Sequence, residues 1–190
     1  MKKKNKKLTR SFYTKSTLEV AKKLLGKYIV RKVGRKELSG KIIETEAYIG
    51  PQDKASHAYG GKVTPRNKAE YLIGGHIYIY LVYGMYWQLN ISTYKVGKPE
   101  CVLIRALDSN PKTLASGPGK LCQYLKLDKS FYGEDLIKSK RIWLENRGIR
   151  VKPSQIVATK RVGIDYAGSY WANKKWRFLL KDDEFPKLKN

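Results

Sequence analysis

Glu44 and Glu46 stand two residues apart in the run Ile42-Ile43-Glu44-Thr45-Glu46-Ala47-Tyr48. In an extended chain alternate side chains leave from the same face, so both carboxylates would share one side of a strand. Two acids on one face invite an acid/base reading; the alternative is an exposed strand face carrying solvated acids. Their neighbours shift the balance. Within forty residues of Glu46 come Tyr48, His57, Tyr59, Tyr71, Tyr78, Tyr80, Tyr83 and Tyr86. A protein that acts on a nucleobase needs flat faces for an extruded base, a wedge to fill the gap in the stack, and basic residues for phosphates. This segment supplies all three kinds. Tyr78 and Tyr80 alternate with Ile77 and Ile79, so one strand face would be aromatic and the other aliphatic. Any single tyrosine there could equally pack the core with its hydroxyl outward.

Other chemistries find less support. The two histidines, His57 in a polar stretch and His76 at a glycine turn, and the two cysteines, Cys101 and Cys122, are all well separated. They match no zinc spacing, so neither a metal nor a cofactor is expected and hydrolysis would need a carboxylate base. Both cysteines have apolar neighbours and read as reduced core thiols. Gly117-Pro118-Gly119-Lys120 could offer backbone amides and a lysine to a phosphate, but no run carries the full P-loop pattern, which disfavours nucleotide triphosphate hydrolysis.

Forty Lys and Arg against sixteen Asp and Glu leave 190 residues with a formal net charge of +24, on a chain that is still 42% hydrophobic. Self-repulsion of this size is best tolerated where a polyanion neutralises it, and nucleic acid is the first candidate. A solvated basic surface is the bland alternative. The length suits one domain with a real core. No stretch approaches the ~20 apolar residues of a membrane span, and the lysine run at the start has no apolar segment behind it. An intracellular protein without a membrane partner is expected.

The elements that must position these residues follow from periodicity. Residues 1–7 read as a basic flexible arm, with a single domain over 8–190. Ser16 and Glu19 have capping-box spacing before a helical face of Leu18, Ala21, Leu24 and Leu25, and Gly26 is placed to end that helix. Strands are predicted over 28–33 and 38–48, then 77–82, 86–93 and 101–107, with a long polar loop over 50–67 between the two groups. A helix is predicted at Leu121-Cys122-Gln123-Tyr124-Leu125 and another near Glu134, with closing strands at 162–164 and 176–180. The reading is a mixed α+β domain.

The blocks IIETEAYIGPQDKASHA, TPRN at Thr64, IYIYLVYGMY, LNIS, CVLIRAL at Cys101, GPGKLCQ at Gly117 and RVGIDYAG at Arg161 together resemble the alkyladenine (3-methyladenine) DNA glycosylase family, in the family's order from about residue 10 to 180. The resemblance implies a single domain around a curved antiparallel sheet with peripheral helices and no helix-hairpin-helix. It implies a monofunctional enzyme, acting as a monomer on double-stranded DNA containing alkylated purines, that flips the damaged base out and hydrolyses its glycosidic bond to begin base excision repair. Glu46 matches the general base that activates water, leaving Glu44 a supporting role. Tyr48 and His57 match residues that pack on the flipped base, and Tyr80 the ring on its other face. Tyr83 matches the wedge. Asn90 matches the residue that crowds a purine's exocyclic amino group, and Arg105 one that helps hold the water and the backbone.

One departure stands out within that resemblance. Where the family usually has an apolar pair near the minor groove, this chain has Glu70-Tyr71, an acid expected to lie unhelpfully beside phosphates. A purine alkylated on a ring nitrogen is already cationic and a good leaving group, so one carboxylate can suffice; neutral lesions would need more help. A non-catalytic nucleic-acid-binding module is the rival reading, and it makes Glu46 dispensable.

Overall fold

A computed structural model describes residues 6–109 and 115–181. Among them, nine strands form one open, curved, antiparallel sheet: β1 (Lys6–Lys7), β2 (Tyr28–Val33), β3 (Lys36–Ile49), β4 (Ile77–Val82), β5 (Tyr86–Ser92), β6 (Glu100–Asp108), β7 (Ile142–Asn146), β8 (Ile156–Thr159) and β9 (Arg177–Leu180). The helices are short: α1 (Arg10–Tyr13), α2 (Thr17–Leu24), α3 (Pro118–Tyr124) and α4 (Ser169–Ala172). The expected α+β class holds.

The sheet runs β1-β7-β2-β3-β6-β5-β4, and β3 is its axis. One edge of β3 carries β2 along Lys36–Lys41 and then β9 along Glu44–Glu46, while β6 follows the other edge. Between Ile42 and Thr45 the β3–β6 register slips twice, leaving Ile43 and Arg105 without opposite partners. Such irregularities bend a strand and re-aim its side chains. Here they sit where Glu44 and Arg105 meet.

Alternation divides the two faces. Ile77 and Ile79, Leu89 and Ile91, Val102 and Ile104 point into the main core with Val20, Ala21 and Leu24 of α2 and Leu121 and Cys122 of α3. The opposite positions form a cross-strand row in which Glu46 pairs with Leu103, Leu103 with Asn90 and Asn90 with Tyr78. That row is the foundation of the site.

Several expectations need correction. Ser16 makes no side-chain cap to α2; Glu19 instead accepts from Lys15 (3.2 Å) and Lys23 (2.6 Å), whose charges outcompete a backbone amide. No helix forms near Glu134, because the chain there pairs with the start of β4: Ile77 N donates to Glu134 O and Leu136 N to Gly75 O. Residues 162–164 are a turn with Gly163 at φ 72°, not a strand. The strands β7 and β8 have no counterpart in the expected set. Lys6 and Lys7, assigned to the basic arm, pair with Asn146 and Glu145, while the rest of that arm lies outside the described residues. No described helix is long and apolar enough to cross a membrane.

Candidate active site

A pocket of about 390 Å³ opens on the polar face of the sheet, and Tyr48, His57, Tyr80, Tyr83, Asn90 and Arg105 all line it. Glu46 lies one layer deeper, fully buried behind that lining. Val162 N donates to its Oε1 at 2.9 Å, the Tyr48 hydroxyl donates to its Oε2 at 2.8 Å, and Arg105 Nη1 lies 3.4 Å from Oε1. Burial raises the Glu46 pKa above the usual carboxylate range, and the Arg105 charge with those donors pulls against the rise. The carboxylate is desolvated yet surrounded by partners.

Glu44 is also buried, which removes the reading of solvated acids on an open strand. Its Oε1 accepts from Arg105 Nε at 2.8 Å and Arg177 Nε at 2.6 Å. Arg105 thus bridges both glutamates and is held rigidly beside Glu46.

The aromatic side of the pocket is built from β4 and the loop before it. His57 Nδ1 and the Tyr78 hydroxyl are 2.6 Å apart, and the His57 and Tyr80 rings meet edge to face with centroids 4.6 Å apart. His57 and Tyr80 therefore form one corner rather than two separated slabs. Crowding around the imidazole and the nearby Arg66 charge hold the His57 pKa down to about 4, so the ring is neutral at pH 7. Arg66 itself caps the Tyr80 ring at 5.1 Å.

The 50–67 loop is ordered by its own polar residues. Asn67 accepts from Thr64 N through Oδ1 (2.7 Å) and donates through Nδ2 to the carbonyls of Lys62 (2.8 Å) and His57 (3.1 Å). Asp53 accepts from Ala55 N at 3.0 Å and binds Arg161 with both oxygens. Both members of that ion pair are buried. Arg161 also donates to Ala47 O and stacks on the rings of Tyr48 and Trp176. It fixes the backbone that presents Val162 N to Glu46.

Tyr83 sits at the β4–β5 turn, where Met85 N donates to Val82 O and both Tyr83 (φ 53°) and Gly84 (φ 69°) have positive φ. Glycine adopts that conformation freely and tyrosine does not, so the chain holds a strained aromatic at the tip. Tyr83 is 87% exposed at the pocket rim. Gly119, weighed as part of a phosphate loop, instead packs against Tyr86, whose Cδ1 a Cβ would meet at 2.8 Å.

The Glu70-Tyr71 expectation is corrected. Glu70 is buried and lines the pocket rather than the outer surface, and Tyr71 is half-buried with its hydroxyl donating to Lys62 O. The protein interior reaches this position because the turn of Lys68–Tyr71 tucks Ala69 and Glu70 under β4. The sequence alone assigns no role to Asp53 or Arg161, and it places Val162 only in a strand and Tyr78 only on the aromatic face. For Arg161 and Val162 the signal in the sequence is the RVGIDYAG block, which they open.

The family described as methylpurine-DNA glycosylase (MPG) matches residues 11–184 of the chain. A protein of Natranaerobius thermophilus named "Putative 3-methyladenine DNA glycosylase" is 42% identical, covering 94% of this chain and 98% of its own length. Proteins of the same name from Borreliella burgdorferi strain ZS7 (40% identical; 94% and 98% covered) and Clostridium perfringens strain 13 (42%; 94% and 97%) are similar over nearly the whole chain. With the match extending across the sheet, the pocket and the loops that close it, the chain belongs to the methylpurine-DNA glycosylase family.

Proposed function

We propose that this protein is a monofunctional glycosylase, acting as a monomer, that flips alkylated purines out of duplex DNA and hydrolyses the N-glycosidic bond with a water activated by Glu46. The observation that carries this reading is a fully buried carboxylate joined to Tyr48, Arg105 and Val162, all three of which line an aromatic pocket. Water reaches Oε1 on the Arg105 side, where the 3.4 Å separation is the widest of the three contacts. As its oxygen bonds to C1′, Glu46 takes the proton and the C1′–N bond breaks. The bonding pair goes to the base, which leaves neutral if the alkylated purine was cationic. Glu44 positions Arg105, and Arg105 keeps the carboxylate ionised.

Tyr48, His57 and Tyr80 supply the faces against which an extruded base packs. Asn90, buried in the same wall, donates to Gln88 O and crowds an exocyclic amino group. Tyr83 occupies the gap left in the duplex. The net charge of +24 supplies phosphate attraction without sequence preference.

The test is release of free base from methylated duplex DNA by the purified protein in chelator, with Glu46→Gln alongside. Release by wild type alone supports the reading. Equal turnover by both overturns the base assignment, and release by neither favours a binding module. Strand cleavage at the abasic site without heat, together with borohydride trapping of the protein on DNA, would overturn the monofunctional part.

A further inference from the structure

Glu70 is 2% exposed and lines the same pocket as the aromatic residues, yet the mechanism above does not use it. Its Oε1 accepts a long contact from the Cys101 thiol at 3.5 Å, and its Oε2 has no hydrogen-bond partner among the described residues. A buried polar atom left without a partner calls for a functional or structural reason. Among the described residues nothing cationic pairs with it: the groups that sense its charge are Cys101 on β6, Tyr78 and Tyr80 on β4, and Tyr71 and Tyr132 beside the Lys68–Tyr71 turn. Arg66 lines the pocket but turns its guanidinium to the Tyr80 ring and Leu81 O, and Arg105 is engaged by Glu44 and Glu46.

We propose that Glu70 is a specificity-determining residue, its free Oε2 donating a hydrogen bond to an acceptor atom on the edge of the flipped base. The proposal rests on the glycosylase reading and adds a base-recognising group to it. Burial among apolar and phenolic neighbours pushes the Glu70 pKa up to about 8, so at pH 7 the group is a neutral acid with one proton to give. Such a donor favours a neutral purine with unencumbered oxygen or nitrogen acceptors. It gives less to a cationic purine, whose delocalised positive charge weakens its acceptors.

The experiment compares kcat/KM on two duplexes that differ only in the lesion, hypoxanthine (neutral) and 7-methylguanine (cationic), for wild type, Glu70→Gln and Glu70→Met, from pH 6 to 9. Glu70→Gln keeps a donor of nearly the same shape but cannot titrate; Glu70→Met removes the donor. The hypoxanthine to 7-methylguanine ratio should fall roughly five- to tenfold in Glu70→Met at pH 7, the worth of one neutral hydrogen bond. It should stay within about twofold of wild type in Glu70→Gln. Raising the pH through 8 should lower the ratio for wild type relative to Glu70→Gln, a comparison that cancels ionisation of the lesions and of Glu46. An unchanged ratio in Glu70→Met, or superimposed pH profiles for wild type and Glu70→Gln, overturns the proposal while leaving the glycosylase reading intact. If wild type releases neither base, that reading fails and the proposal falls with it.

Discussion

The backbone N–H of Val162 donates to Glu46 Oε1 across 2.9 Å, tying the carboxylate on β3 to a loop 116 residues further along the chain. A buried carboxylate is tolerated only when its lone pairs are met, and this contact from outside the sheet meets one of them. The Asp53–Arg161 pair holds the same loop from behind. The carboxylate proposed as the base is therefore also a tie between the sheet and this loop.

Replacing Glu46 by Gln preserves volume but removes the proton acceptor and turns an amide toward the Val162 N–H or the Arg105 guanidinium. Base release should fall by roughly 10²- to 10⁴-fold, the usual worth of a positioned general base. Affinity for lesion duplex should change by no more than about threefold by titration, since the lining rings remain.

The raised Glu46 pKa sets the acid limb of the rate profile. The ionised form is the active one, so kcat/KM should rise with pH through a pKa above 4.5 and level off once the carboxylate is charged. The Arg105 charge opposes the shift, so Arg105→Gln should move the limb to higher pH as well as slowing the reaction. A limb that stays in place in that variant would show that another group governs it.

Asp53→Ala should destabilise the fold by roughly 3–5 kcal/mol, because it strands a fully buried guanidinium. Denaturant unfolding checks this. Asp53→Asn should fall between the variant and wild type, since it keeps an acceptor but not the charge.

Tyr83→Ala should leave stability within about 0.5 kcal/mol, as expected of an exposed side chain. Lesion-duplex affinity should nevertheless drop roughly tenfold, the scale of one lost aromatic–base stack. Comparable affinity in the variant would remove Tyr83 from the wedge role.

Glu70 carries a stability signature separate from its role in recognition. Its folded pKa, about 8, lies above the unfolded value near 4.5. The folded state therefore binds the proton more tightly, and stability is full below pH 4.5 and is lost as pH rises toward and through 8. Glu70→Gln should remove that decline. Melting temperatures at pH 5 and pH 8.5 test it: wild type should lose more than the variant between them.

Much of the architecture was legible from local pattern. Alternation in Ile77-Tyr78-Ile79-Tyr80 foretold an aliphatic and an aromatic face, and the faces separate accordingly. The strands that local pattern does not mark, β7 and β8, are short and carry Glu145 and Ala158 among their residues; their strand state comes from pairing with β2 and β9. The turn at 162–164 had the opposite failing, since Val and Ile flank a glycine whose positive φ breaks extension.

By itself the sequence determined which residues are candidates for the site. Residue types and strand periods are local properties that single out the two glutamates and the tyrosine-rich face, and the family resemblance carried by the ordered motif blocks nominates Glu46, Tyr48, His57, Tyr80, Tyr83, Asn90 and Arg105. Only the tertiary structure decided which groups surround each of them. The double register slip aims Arg105 at both glutamates, Val162 reaches Glu46 from a distant loop, and Glu70 turns inward where the sequence placed it beside DNA. Burial and long-range contact decide whether an acid is solvated, paired or protonated, and neither is a property of neighbours along the chain.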